Sequence, residues 1–171
     1  MVGIAKAYTT RVGLGPFPTE MNEADADRLR ALGHEYGATT GRPRRCGWFD
    51  APVVRASVRH NKLTALIITK LDVLDSSEEV KLCHSYRLDG REVREFDPFH
   101  ASELVPQYET MPGWREKTSN CRSFAELPVR ARRYLARLEE LCECPIALVS
   151  VGSERNQTIP FKSNKLRWLR Q

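Results

Sequence analysis

The densest anion-binding chemistry in the sequence lies in Gly37-Ala38-Thr39-Thr40-Gly41-Arg42-Pro43-Arg44-Arg45. Its arginines offer permanently charged, bidentate forks, and its paired threonine hydroxyls and loop amides suit carboxylate or phosphate oxygens. The glycines shape a pocket as well as leaving it charged. Specific anion binding therefore ranks ahead of a solvated basic loop or a non-specific nucleic-acid contact.

Two further candidates begin where apolar runs end. Thr64-Ala-Leu-Ile-Ile-Thr69 leads into Lys70-Leu71-Asp72, and Pro145-Ile-Ala-Leu-Val149 leads into Ser150-Val151-Gly152. In open α/β sheets, ligands bind where strands end and loops begin. An aspartate just past a buried strand can accept hydrogen bonds from guanine's ring N–H and exocyclic amine together. Adenine lacks that donor pair, and the unpaired carboxylate would discriminate by as much as ~10⁴-fold. The stem of Lys70 is expected over the base face, with Gly152 letting backbone amides approach it. Taken alone, either tripeptide reads as an ordinary strand end with exposed charge or a small residue.

Other chemistry-bearing residues offer less. His34, His60, His84 and His100 have no acidic or cysteine partner at ligand spacing. Ser85, Ser102 and Ser123 lack a nucleophile-elbow context. Cys46, Cys83, Cys121, Cys142 and Cys144 are odd in number and scattered, and the single residue between the last two is not zinc spacing. Reduced structural thiols are expected. Glu78-Glu79 and Glu139-Glu140 read as solvated faces, and Trp48 and Trp114 as core anchors.

These candidates need elements to position them. Val2 to Tyr8 reads as a short buried strand, followed by a Gly/Pro-rich loop to Glu20. A helix capped by Asn22 should run to Leu32 and stop at Gly33. Tyr36 to Trp48 is too polar and glycine-rich for a core element. A second helix should start from Asp50, tolerate Pro52 in its first turn and reach His60. Thr64 to Lys70 is a continuous apolar run, as in strands covered on both faces. Asp89-Gly90 between Lys81–Leu88 and Arg91–Phe96 signals a hairpin. Pro98 to Asn120 lacks periodicity and is expected to be irregular, with a turn at Pro112-Gly113. Leu127, Ala131, Tyr134, Leu135, Leu138 and Leu141 recur at helical spacing from Pro128 to Cys142, before a buried-type strand at Pro145 to Val151. The expected fold is α/β, part of a mostly parallel central sheet with flanking helices plus a β-hairpin.

The totals agree with that class. An apolar fraction of 41% and a charged fraction of 29% suit a soluble globular domain. No run approaches the ~20 apolar residues of a membrane span, and Met1 to Tyr8 does not resemble a signal peptide. The net charge of +5 serves anionic nucleotides as well as nucleic acid and cannot choose between them.

Several motifs occur together and in order. They are Lys6-Ala-Tyr-Thr-Thr-Arg-Val-Gly13 with Gly15-Pro-Phe-Pro-Thr-Glu20, Gly37 to Trp48, Thr69-Lys-Leu-Asp-Val-Leu-Asp75, Val80-Lys-Leu-Cys83 with Tyr86, and Tyr108-Glu-Thr-Met-Pro-Gly-Trp114. Together they resemble the adenylosuccinate synthetase family from Met1 to about Thr158, as its carboxyl-terminal part. The tail Ile159 to Gln171 does not match the family's usual ending.

The resemblance implies a sheet of the GTP-binding synthetase type and a two-stage reaction. GTP phosphorylates the 6-oxygen of IMP, and the amino group of L-aspartate displaces that phosphate. It further implies that Val12 contacts the IMP ribose through its backbone and that Ala38 to Arg44 closes over aspartate. Thr39 and Thr40 would meet the aspartate carboxylates, Arg42 would contact aspartate and IMP, and Arg44 would reach the GTP side. Lys70, Leu71 and Asp72 match the guanine motif, with Ser150, Val151 and Gly152 as a second guanine loop.

The family's phosphate loop, catalytic aspartate and histidine, Mg2+ ligands and dimer-spanning arginine have no counterpart here. No catalytic or metal-binding residue is therefore expected in this chain, and catalysis by it alone is not expected. A cytoplasmic homodimer is implied for the complete protein, with neither nucleic acid nor membrane as partner. The alternatives are a non-catalytic nucleotide-binding module and a basic nucleic-acid-binding domain. A sheet continued by residues this chain lacks should leave an unpaired apolar edge and promote association.

Overall fold

The computed structural model describes residues 1–160. Most of the expected tail, 161–171, lies outside the described residues. In chain order the elements are β1 (Val2–Lys6), β2 (Thr9–Arg11), α1 (Glu23–Gly33), β3 (Arg45–Gly47), β4 (Phe49–Asp50), α2 (Ala51–His60) and β5 (Ala65–Thr69). They continue with β6 (Glu79–Leu88), β7 (Arg91–Val93), β8 (Val105–Pro112), α3 (Val129–Cys142), β9 (Ile146–Ser150) and β10 (Thr158–Pro160).

The continuous apolar runs pair in parallel, as strands covered on both faces do. β1 runs beside β5 from Val2↔Ala65 to Lys6↔Thr69, and β5 runs beside β9 with Ile68 opposite Val149. β10 closes the order β1-β5-β9-β10 antiparallel, so the sheet is mixed but mostly parallel. Ile159 is buried in β10, which carries the sheet past the expected start of the tail. On one face, Leu66, Ile68, Ile146 and Val149 share a core with Val58 of α2 and Ala131, Leu135 and Leu138 of α3. All five cysteines are free and buried, as expected of structural thiols.

Local signals account for the helices. The Asn22 side chain accepts the Asp25 N–H at 2.9 Å, and Asp50 accepts the Val53 N–H at 3.3 Å. Helix α1 ends one residue later than expected, with His34 in the left-handed region at φ 50°. Gly33 serves a different purpose from a stop signal: a Cβ there would lie 2.5 Å from the Tyr8 hydroxyl.

The hairpin forms as expected. Asp89 and Gly90 take φ of 49° and 75°, and β6 pairs β7 antiparallel. Two expectations fail. β8 forms within the stretch expected to be irregular and pairs β6 from Glu79↔Pro112 to Arg87↔Val105. Its pattern is masked because it is an edge strand, where Pro106 and Pro112 are tolerated and no apolar face is required. β3 likewise places a buried Cys46 in the polar segment, because β2 supplies its ladder partners from Thr9↔Gly47 to Arg11↔Arg45.

β1 has a single partner strand among the described residues, and Ile4 on it is 73% exposed.

Candidate functional site

Parallel pairing of β5 with β9 brings their carboxyl ends to one rim, so Lys70–Asp72 and Ser150–Gly152 emerge side by side. Past β5 the chain turns sharply. Lys70 adopts φ 60°, and a single 3-10 turn over Leu71–Leu74 buries Leu71, Val73 and Leu74. Those apolar anchors hold Asp72 at the rim. Its Oδ1 is buried with no hydrogen-bond partner. Burial pushes the Asp72 carboxyl above its usual range, with the Lys70 charge acting in the opposite direction.

The second loop is built around a side chain that sequence reasoning missed. Ser150 Oγ donates to the Gly152 carbonyl at 2.7 Å, and the Val151 N–H donates to the Gln157 carbonyl at 2.9 Å. A Cβ on Gly152 would lie 2.1 Å from Gln157 Oε1. Here the glycine makes room for Gln157, whose amide also donates to the Ser119 carbonyl at 3.0 Å.

Lys70 also reaches away from the rim. Its ammonium donates to the Gly33 carbonyl at 2.6 Å and to Glu35 Oε1 at 2.8 Å. Glu35, also missed, has a fully buried side chain and gathers four side-chain donors. Lys6 reaches both of its oxygens at 2.9 Å, Tyr8 Oη donates at 2.6 Å, and Arg44 Nη1 donates to Oε2 at 2.7 Å. Burial alone would raise this carboxyl. The bonds from Lys70, Tyr8, Lys6 and Arg44 outweigh it and bring the pKa down to about 2. The only sequence signal was Lys6, a charge closing an otherwise apolar strand.

Arg44 anchors the base of the arginine loop. Its N–H donates to the Glu35 carbonyl at 2.9 Å, and its own carbonyl accepts from Arg30 Nε at 3.0 Å. The Gly37 N–H bonds the Arg42 carbonyl at 2.8 Å, and Tyr36 bridges Pro43 across the loop's neck. Ala38, Thr39, Thr40, Gly41, Arg42 and Pro43 are exposed, with Gly41 at φ 64°. The loop tip is thus presented to solvent above a buried anchor. Val12 is 81% exposed at the end of β2, on the same end of the ribbon as Arg44 because Arg11 pairs Arg45. The Arg45 guanidinium pins the following loop, donating to Glu20, the Gly13 carbonyl at 3.0 Å and the Gly15 carbonyl at 2.7 Å.

The structure therefore brings Lys70–Asp72 and Ser150–Gly152 together and ties Arg44 to Lys70 through Glu35. Among the described residues, no hydrogen bond or ion pair joins Val12 or Arg42 to either guanine candidate. Among the described residues, no group of three or more His, Cys, Asp or Glu is placed to hold a metal. No described helix is long and apolar enough to cross a membrane.

The adenylosuccinate synthetase family model matches residues 1–159. The adenylosuccinate synthetase of Pelobacter propionicus is 55% identical over 165 residues, covering 95% of this chain and 38% of that protein. That of Geobacter sulfurreducens is 53% identical over 161 residues, covering 93% and 37%. Among solved structures, the fully ligated adenylosuccinate synthetase from Plasmodium falciparum superposes with a TM-score of 0.90 at 40% identity, covering 94% of this chain and 39% of that one. The chain thus spans well under half the length of these relatives. The expected carboxyl-terminal placement is not borne out by these coverages, which give a share of length alone. On the family model and these identities, the chain belongs to the adenylosuccinate synthetase family.

Proposed function

We propose that this chain supplies the guanine-recognition loops and the IMP/aspartate loop of a GTP-dependent ligase that joins IMP and L-aspartate into adenylosuccinate. The observation that carries this reading is the buried, unpartnered Oδ1 of Asp72 at the rim shared by β5 and β9. A buried carboxylate oxygen without a donor costs about 1–3 kcal/mol. A guanine base arriving with its ring N–H and amine would relieve that cost, and an adenine would not.

In this reading Lys70 and Leu71 flank the base, and Ser150, Val151 and Gly152 line its other edge. Thr39 and Thr40 donate to the aspartate carboxylates, Arg42 clamps aspartate and IMP, and Arg44 faces the GTP side. The backbone at Val12 holds the IMP ribose, and Ala38 to Arg44 closes over aspartate on binding. The exposed loop tip on its buried anchor is suited to such a movement. The groups that move protons at the IMP ring are assigned to residues outside this chain. So are the ligands of Mg2+. Residues 1–158 are read as one portion of the synthetase domain, and the complete protein as a cytoplasmic homodimer that binds no nucleic acid.

The test is competition binding with a fluorescent guanine nucleotide. GTP and GDP should displace it and ATP should not. Asp72→Asn should weaken the preference for guanine over adenine by about 100-fold. Retained preference in that variant removes the assignment. A steep loss of binding with salt, indifferent to free GTP, would instead favour the nucleic-acid reading.

A further inference from the structure

The Glu35 cluster is larger than a strand-end ion pair requires. One buried carboxylate meets three cations, Lys6, Arg44 and Lys70, which arrive from β1, the arginine loop and the end of β5. The cations keep some solvent access, whereas the carboxylate has none. Both of its oxygens are engaged, Oε1 by Tyr8 and Lys70 and Oε2 by Arg44, with Lys6 spanning the two. Arg44 and Lys70 would repel each other without it.

Chain geometry reinforces the tie. Glu35 sits just after α1, whose end also accepts Lys70 at the Gly33 carbonyl. Its own carbonyl accepts the Arg44 N–H, so the two sides of the arginine loop's neck are clamped at one residue by backbone and side chain together. Displacement of Lys70 as a base settles at the rim must therefore be felt at Oε1. Displacement of Arg44 must be felt at Oε2 of the same rigid group.

The geometry points to Glu35 as a positioning residue that couples the guanine rim to the arginine loop, so that occupancy of one steadies the other. This rests on the guanine reading of Asp72 for its ligand, but not for the tie itself. It predicts that a guanine nucleotide at the rim slows motion of residues 36–43, which it does not contact, as well as of Arg44, which faces it.

Hydrogen exchange read by mass spectrometry on the 171-residue chain, free and with excess GDP, tests this. In the unaltered chain GDP should slow exchange at 70–72 and, by coupling, at 36–44 by about fivefold. In Glu35→Gln, GDP should still slow exchange at 70–72 but no longer at 36–44. Equal slowing of 36–44 in that variant overturns the proposal. If GDP leaves 70–72 unchanged in the unaltered chain, the guanine reading fails, and the tie is judged on ligand-free chains. There, Glu35→Gln should speed exchange at 36–44 by about fivefold and leave α3 unaffected. A uniform increase that includes α3 makes Glu35 a general stabiliser and overturns the proposal. Should Glu35→Gln fail to fold, Lys70→Met, which reaches the loop through Glu35 and the end of α1, should speed exchange at 36–44. No change there counts against the tie.

Discussion

Asp75 accepts the Trp114 indole N–H at 2.7 Å, the Thr118 N–H at 2.7 Å and the Thr118 hydroxyl at 2.9 Å, whereas Asp72, earlier on the same turn, keeps a buried oxygen that no donor reaches. Burial raises the pKa of both carboxyls. In Asp75 the penalty is offset by bonds that fasten the turn to the segment beyond β8. In Asp72 only its own backbone N–H and the Lys70 charge act against it. Glu35 lies further still towards satisfaction, with every oxygen engaged by charged or hydroxyl donors. The difference separates carboxylates whose partners lie within the fold from one with an unpartnered oxygen, on which the proposed guanine site rests, and composition cannot distinguish them.

The largest expected effect sharpens the Glu35 side of that contrast. Its folded pKa lies near 2 against an ordinary value of 4.5, so its stabilisation is fully present above pH 4.5 and is lost as the pH falls towards 2. The loss amounts to about 3 kcal/mol. Denaturant melts between pH 5 and pH 2 should show a steeper fall for the unaltered chain than for Glu35→Gln, and parallel slopes would assign the acid sensitivity elsewhere.

Asp75→Ala comes next. It strands the Trp114 N–H and two Thr118 donors and should cost about 2 kcal/mol in urea unfolding. A cost near zero would erase the distinction between the two ends of the turn. Asp72→Asn should go the other way, raising stability by about 1 kcal/mol while lowering guanine preference. The unaltered chain should also lose guanine binding on acidification at a higher pH than an exposed aspartate would, because its raised carboxyl must be ionised to accept. Binding titrations from pH 7 downwards check this.

The smallest thermodynamic effect belongs to the sheet edge. Ile4→Lys should change stability by less than about 0.5 kcal/mol, yet it should reduce concentration-dependent association in sedimentation, because a lysine blocks edge pairing. Unchanged association would mean that β1 is not the sticky surface.

How much of this was legible beforehand depends on where each signal resides. Helix α2 was readable because its start is written locally, in Asp50 and Pro52, and the β6–β7 turn because Asp89-Gly90 supplies two left-handed residues. β8 was not, since its partner β6 rather than any apolar alternation makes it a strand. The same holds at the site. Asp72 could be singled out from the apolar run before it. Glu35 could not, because its meaning lies in Lys6, Tyr8, Arg44 and Lys70, which only the folded chain brings together. Gly152 was identified as a functional glycine, but the neighbour that requires it, Gln157, follows in the next turn.

The five sequestered thiols turn the chain into its own opening gauge. Burial pushes Cys46, Cys83, Cys121, Cys142 and Cys144 above the ordinary thiol range, so few are ionised at neutral pH and none is readily approached. A brief pulse of alkylating reagent should leave native chains unmarked and tag every cysteine in those that have opened. The mass of each molecule then records how much of it had opened when the reagent arrived.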